Sequence, residues 1–208
     1  MNNIDPLAKL FGSTSRLKIM RLFLFTPETP QDVDDVSKKT NVNKRTASND
    51  LRSLQSAGLL KSKIFVKTSE KKVKNKVKKT KKKIKGFVLN DKFKYLLPLQ
   101  NLLIKGEPLN QDGIEKKFKN AGSIKLLIIS GVFINERDAR VDIMIVGDRL
   151  SDRSIETAIK NLESDIGTEL KYAVFDTKEF QYRTNIYDKL IRDILESPHE
   201  KIVNRLGL

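Results

Sequence analysis

Residues 41–60, NVNKRTASNDLRSLQSAGLL, constrain this chain more than any other stretch. Val42, Ala47, Leu51 and Leu54 recur at steps of three to five residues, which predicts a helix from about Asn43 to Ala57 with one apolar stripe turned inward. Asn43 has the short polar side chain of an N-cap and Gly58 suits the C′ position, so both ends are punctuated. The remainder of the helix carries Lys44, Arg45, Thr46, Ser48, Asn49 and Arg52, with no acid before Asp50. Such side chains bond phosphates and base edges. A solvated surface helix shows the same pattern, so the flanking sequence has to separate the two readings.

Charge narrows the choice. The 208 residues carry a formal +15, placed unevenly: residues 1–105 hold 25 Lys and Arg against 8 Asp and Glu, and residues 106–208 hold 16 against 18. The cationic surface therefore belongs to the first half, where it favours a nucleic acid or an anionic membrane. No apolar run approaches the roughly 18 residues of a spanning helix, and the N-terminus does not read as a signal peptide, so a cytoplasmic protein is expected. With no Cys and a single His, His199, thiolate and soft-metal chemistry is excluded. No cofactor is expected, and His199, beside Pro198, reads as a turn residue.

Upstream, Leu7 to Phe25 form a broad apolar helical surface interrupted at Gly12 and Ser13, either buried within the domain or covered in part by a second subunit. Pro27 to Pro30 end it. Gln31 to Thr40 then reads as a short helix whose acids Asp32, Asp34 and Asp35 stand at the favourable end of its dipole. The order of these elements, with Arg16-Leu17, Val42, Leu51, Leu54 and Ala57-Gly58-Leu59, resembles the ArsR-like winged helix regulators over roughly residues 7–90. The resemblance implies that the helix after Asn43 lies in the major groove, which carries base contact to Lys44, Arg45, Ser48, Asn49 and Arg52. The metal-sensing members depend on Cys and His sets that this chain lacks.

Downstream, SKIFVKT and IKGFVLN read as antiparallel strands flanking a wing. Residues 71–85 between them contain ten lysines and no acid: Lys71, Lys72, Lys74, Lys76, Lys78, Lys79, Lys81, Lys82, Lys83 and Lys85. Mutual repulsion predicts an extended, solvated loop in the unbound protein, with phosphate contact as its use. Lysine suits point-charge attraction without base reading. A membrane surface is the rival partner, but no large apolar anchor or lipidation signal accompanies the lysines.

Residues 91–113 read as a linker helix, DKFKYLLPLQNLLIK, that opens near Pro98 and ends at Gly106, Pro108 and Gly113. From 114 to 208 helices and strands alternate: a helix with Ile114 and Phe118, the strands SIKLLIISGVFI and VDIMIVGD, a helix over about 154–166, the strand ELKYAVFD, a helix over about 186–196, and a short last strand near 201–203. The order resembles the minimal nucleotidyltransferase fold, with Ser130-Gly131-Val132 at the family's Gly-Ser turn and Asp142-Ile143-Met144 at its Asp-x-Asp. The fold class expected is α+β: a winged helix-turn-helix over 1–90, then a small α/β nucleotidyltransferase-like domain with a mixed sheet.

Nucleotidyl transfer needs two carboxylates two residues apart on one strand face, usually with a third acid nearby, to hold Mg²⁺ against a triphosphate. Asp142 fills the first place, Met144 is a poor ligand for a hard cation at the second, and Lys171 and Tyr172 stand where the third is sought. Val132 also replaces the Ser that would help to cradle phosphate. Gly131, Asp142 and Met144 thus read as a vestigial motif with no catalytic residues, Asp142 pairing with Arg140 or capping a loop. The expectation is a transcriptional regulator that binds double-stranded DNA, as a homodimer, with an inactive second domain for a small-molecule or protein partner. The rival is an active nucleotidyltransferase, or an antitoxin-type modifier, targeted by its winged helix.

Overall fold

The computed structural model describes residues 6–73, 76–105, 111–136 and 138–208; at 69–73, 76–80, 105, 111 and 112 the description covers the backbone alone. The fold is α+β and its larger sheet is mixed. Two compact units divide it, Pro6–Gln100 and Asn101–Leu208.

In the first unit, α1 (Pro6–Leu10) and α2 (Thr14–Phe25) are separated at Gly12, whose φ of +70° suits a residue without Cβ. Ser13 caps α2 by accepting from the Arg16 N–H at 3.1 Å. The broad apolar surface of α2 is buried inside its own unit: Leu17, Ile19, Met20, Leu22, Phe23 and Leu24 are all inaccessible. Next come α3 (Val33–Thr40), with Asp32 as N-cap, and α4 (Lys44–Ser56). Asn41 joins them in the left-handed region at φ 52°.

The chain then forms a long antiparallel ribbon of β1 (Leu60–Val73) and β2 (Lys76–Leu89). This corrects the expected loop, because the ladder runs without a shift from Leu60↔Leu89 to Val73↔Lys76 and takes in most of the lysine run. Main-chain hydrogen bonds supply the ladder, and Val66, Val73, Val77, Thr80 and Ile84 supply β-branched residues among the lysines. Gly86 fixes which face turns inward, since a Cβ there would come within 2.6 Å of the Phe65 ring and 2.7 Å of the Gln31 carbonyl oxygen. A slip of one residue would exchange the faces. After the ribbon, α5 (Leu96–Gln100) holds Pro98 within its first turn, and a π-helical turn spans Asn101–Lys105 at the start of the second unit.

The second unit contains α6 (Gln111–Lys117), β3 (Ser123–Ile129), β4 (Ile143–Asp148), α7 (Asp152–Ile166), β5 (Tyr172–Asp176), α8 (Thr177–Asn185), α9 (Lys189–Glu196) and β6 (Glu200–Asn204). The strand order is β5-β4-β3-β6, with β4 and β5 parallel and the other neighbours antiparallel. One face buries Leu126, Ile128, Met144, Val146 and Phe175 against Phe180, Ile191 and Ile194 of α8 and α9. Two expectations are corrected here. The first strand stops at Ile129, where a short 3-10 turn takes over at Gly131–Phe133. The helix expected over about 186–196 is α9, which begins at Lys189 after its N-cap Asp188, and a further helix not expected, α8, precedes it and ends at its C-cap Ile186.

Candidate nucleic-acid interface

Helix α4 is seated by Ala47, Leu51 and Leu54, which are buried, and by Asp50, which is buried with them. Asp50 follows Ala47 by three residues and precedes Leu54 by four, so it belongs to the inward stripe. Its carboxylate accepts from the Ser15 hydroxyl at 2.5 Å and from Arg16 Nε at 3.2 Å, with Arg16 Nη2 at 3.2 Å. A buried charge is tolerable when paired and hydrogen-bonded in this way. The clasp joins α4 to α2 and removes the only acid of α4 from its outward face.

That face carries Arg45, Asn49 and Arg52, all exposed and set at steps of four and three residues, so they lie along one side of the helix. Lys44 is exposed and pairs with Asp34 of α3 at 2.8 Å. Both partners are well solvated, so the pair is worth at most about 1 kcal/mol and a phosphate can displace the carboxylate. Asn43 uses its side chain to accept from the Thr46 N–H at 2.9 Å, which commits it to capping. Thr46 and Ser48 are half-buried.

In the ribbon, Lys81, Lys82, Lys83 and Lys85 are exposed. Lys71, Lys72, Lys76, Lys78 and Lys79 have their backbone in the ladder, and Lys74 lies outside the described residues. Lys67, which stands in β1 outside the lysine run, anchors the ribbon to α3 by donating to Asp32 at 2.7 Å and to Asp35 at 2.5 Å. Burial pushes the Asp32 carboxyl up, but hydrogen bonds from Lys67 and the Asp35 N–H, with the charge of Lys67, outweigh it and hold the group below its ordinary 3.8. Burial likewise pushes the Lys67 ammonium down, and its two carboxylate partners hold it above its ordinary 10.5. The signal for this clasp was an N-cap acid, Asp32, followed three residues later by Asp35 at the start of one short helix in a cationic half.

In the second unit, Asp142 precedes β4 and is buried. Its Oδ1 accepts from the Val132 N–H at 2.9 Å and its Oδ2 from the Lys171 N–H at 2.8 Å, while its own N–H donates to the Lys171 carbonyl at 2.6 Å. One carboxylate oxygen therefore binds the 3-10 turn and the other the backbone just before β5. Gly131, at φ +55°, lies so close that a Cβ would meet Asp142 Oδ1 at 2.0 Å. The pairing with Arg140 is corrected: that guanidinium donates to Asp193 at 3.0 Å. Met144 is fully buried in the sheet core, and among the described residues no group of three His, Asp or Glu side chains is placed to hold a metal ion. Among them, too, no helix is long and apolar enough to cross a membrane. Comparison of the chain with protein-family models, with curated proteins and with solved structures finds no match.

Proposed function

We propose that the chain is a DNA-binding transcriptional regulator in which residues 6–90 form a winged helix-turn-helix. In this reading α3 and α4 are the helix-turn-helix, α4 is the helix that enters the major groove, and the β1/β2 ribbon is the wing. The observation that carries it is the outward face of α4: Arg45, Asn49 and Arg52 exposed in a row, with Asp50 turned inward. Arg and Asn are the side chains that bond guanine and adenine bidentately from the major groove. The exposed ribbon lysines supply the sequence-independent attraction to phosphate. A homodimer, with exposed Leu10 and Leu97 offering apolar area to a second copy, would present two such helices to a two-fold operator.

The second unit is read as a catalytically inactive nucleotidyltransferase-like domain that binds a ligand or a protein partner. Support for inactivity comes from Met144, buried in the core at the place where a second carboxylate is needed, and from Asp142, each of whose oxygens already accepts a backbone N–H.

Selection of duplexes from a random pool tests the reading. The full chain should enrich one sequence and bind it at least about a thousandfold more tightly than random DNA. Replacing residues 71–85 by a short Gly-Ser loop should weaken binding to all duplexes alike and flatten the dependence of log K on log salt by several units. Equal affinity for every duplex would contradict the proposal.

A further inference from the structure

The two faces of the ribbon differ in what they touch. Residues paired across an antiparallel ladder share a face, so Phe65, Lys67, Ile84 and Gly86 lie on one side and Ser62, Ile64, Val66, Thr68, Lys81, Lys83 and Lys85 on the other. The first side, which also carries the exposed Lys63 and Lys82, meets the body of the unit where Phe65 lies over Gly86 and Lys67 is clasped by α3. The second is open: Ile64 is 72% exposed and Val66 54% exposed, and each stands directly across from an exposed lysine, Lys85 and Lys83. Phosphate attraction explains the lysines but gives Ile64 and Val66 no role.

Gln31 bridges the β2 side of the ribbon at Phe87, and exposed β-branched residues on the other strand, β1, are also an aggregation hazard, which natural edges avoid unless the surface is used. The face is continuous with that of α4, because Ser62, next in its row to Ile64, accepts from the Gln55 amide at 2.8 Å. Gln55 stands three residues after Arg52, on the same side of the helix. One exposed surface thus runs from Arg45, Asn49 and Arg52 through Gln55 and Ser62 to Ile64 and Val66.

We propose that this outer ribbon face is a second base-reading surface, which enters the major groove of duplex DNA and sets Ile64 and Val66 against thymine methyl groups while Lys81, Lys83 and Lys85 meet the flanking phosphates. The proposal rests on the reading of the chain as a DNA-binding protein. The major groove, about 12 Å wide, admits a two-stranded ribbon, and its floor is where methyl groups and acceptors lie between two rows of anions. A surface that sets β-branched side chains in line with cations is complementary to both. Two small side chains are a weak anchor for a lipid surface, which needs a larger apolar face.

The test uses the full chain and the duplex it selects, synthesised with thymine or with deoxyuridine, which lacks the C5 methyl. Ile64→Thr with Val66→Thr keeps β-branched residues in the ladder while replacing the apolar contact. The double variant should bind the selected duplex about tenfold more weakly, with the salt slope and random-duplex affinity unchanged. Deoxyuridine in the ribbon-covered segment should cost the wild type a similar factor and cost the variant nothing. A deoxyuridine effect of full size in the variant, or equal weakening on selected and random duplexes, would overturn the assignment. So would binding to phosphatidylserine vesicles that the Thr pair abolishes while duplex affinity is untouched. A wild type that selects no duplex would instead overturn the DNA-binding reading beneath it.

Discussion

Each unit buries one aspartate at the place where the sequence sets its most suggestive motif, and the two are satisfied in opposite ways. Asp50 is held by side chains of another helix, Ser15 and Arg16, and the result is a helix whose outward face keeps its cations unopposed by any acid of its own. Asp142 is held by the main-chain N–H groups of Val132 and Lys171, one on each carboxylate oxygen, so the side chain ties two segments of backbone together. The comparison teaches that a buried carboxylate near a motif is informative through its partners. Side-chain partners on α2 fix which face of α4 stays exposed, whereas backbone partners mark a structural cap.

The largest effect that sharpens this contrast is expected at Gly131. Gly131→Ala forces a Cβ into the left-handed region and against Asp142 Oδ1, displacing the carboxylate from the Val132 and Lys171 N–H groups. Backbone strain of about 1 kcal/mol and buried donors left unpaired at about 1–3 kcal/mol each should together cost about 4 kcal/mol. Denaturant unfolding of the full chain should show that loss in the second unit, with duplex affinity nearly retained. A variant as stable as the wild type would mean that the carboxylate is not a structural cap.

Next in size is the clasp of the first unit. Asp50→Ala leaves Ser15 and Arg16 without their partner and should lower stability by about 2–3 kcal/mol. Because the clasp also orients α4, affinity for the selected duplex should fall more than affinity for random DNA. An equal fall on both duplexes would show that the helix is placed by its apolar stripe alone.

The smallest expected effect is that of pH on the ribbon clasp. The Asp32 carboxyl is held below 3.8, so its contribution is complete above that value and is lost as pH falls through the lower folded value. Lys67 is held above 10.5, so its contribution is complete below that value and is lost as pH rises through the raised one. These groups are partly exposed, which limits the clasp to about 1 kcal/mol. Lys67→Met should lower stability by about 1 kcal/mol across the neutral range, where the clasp is complete, and remove its fall-off on both flanks. A much larger loss at pH 7 would contradict the partition.

Much of the first unit could be read from residues alone because its local signals agree. Asn43 caps α4, Gly58 sits at φ +84° after it, and the apolar stripe fits one period. The lysine run misled because charge repulsion argues for a loop, while the ladder is made by main-chain groups that carry no side-chain charge. Helix α8 escaped because TKEFQYRTN buries one residue, Phe180, and so has little periodicity to detect. Asp142 stands one position before its strand, and the role of its side chain was not legible because its partners Val132 and Lys171 are distant in sequence. Asp50 was legible in its spacing with Ala47 and Leu54, but its charge drew it to the wet face.

The central claim is that the outward face of α4 reads bases, and its most direct measurement is the base preference of Arg45→Ala, Asn49→Ala and Arg52→Ala, each against a duplex series in which every operator position is varied singly. Each variant should lose about 1–3 kcal/mol on the selected duplex, relax discrimination at its own position and keep wild-type preferences elsewhere. Uniform weakening of all three variants on selected and random duplexes, with discrimination intact at every position, would contradict it.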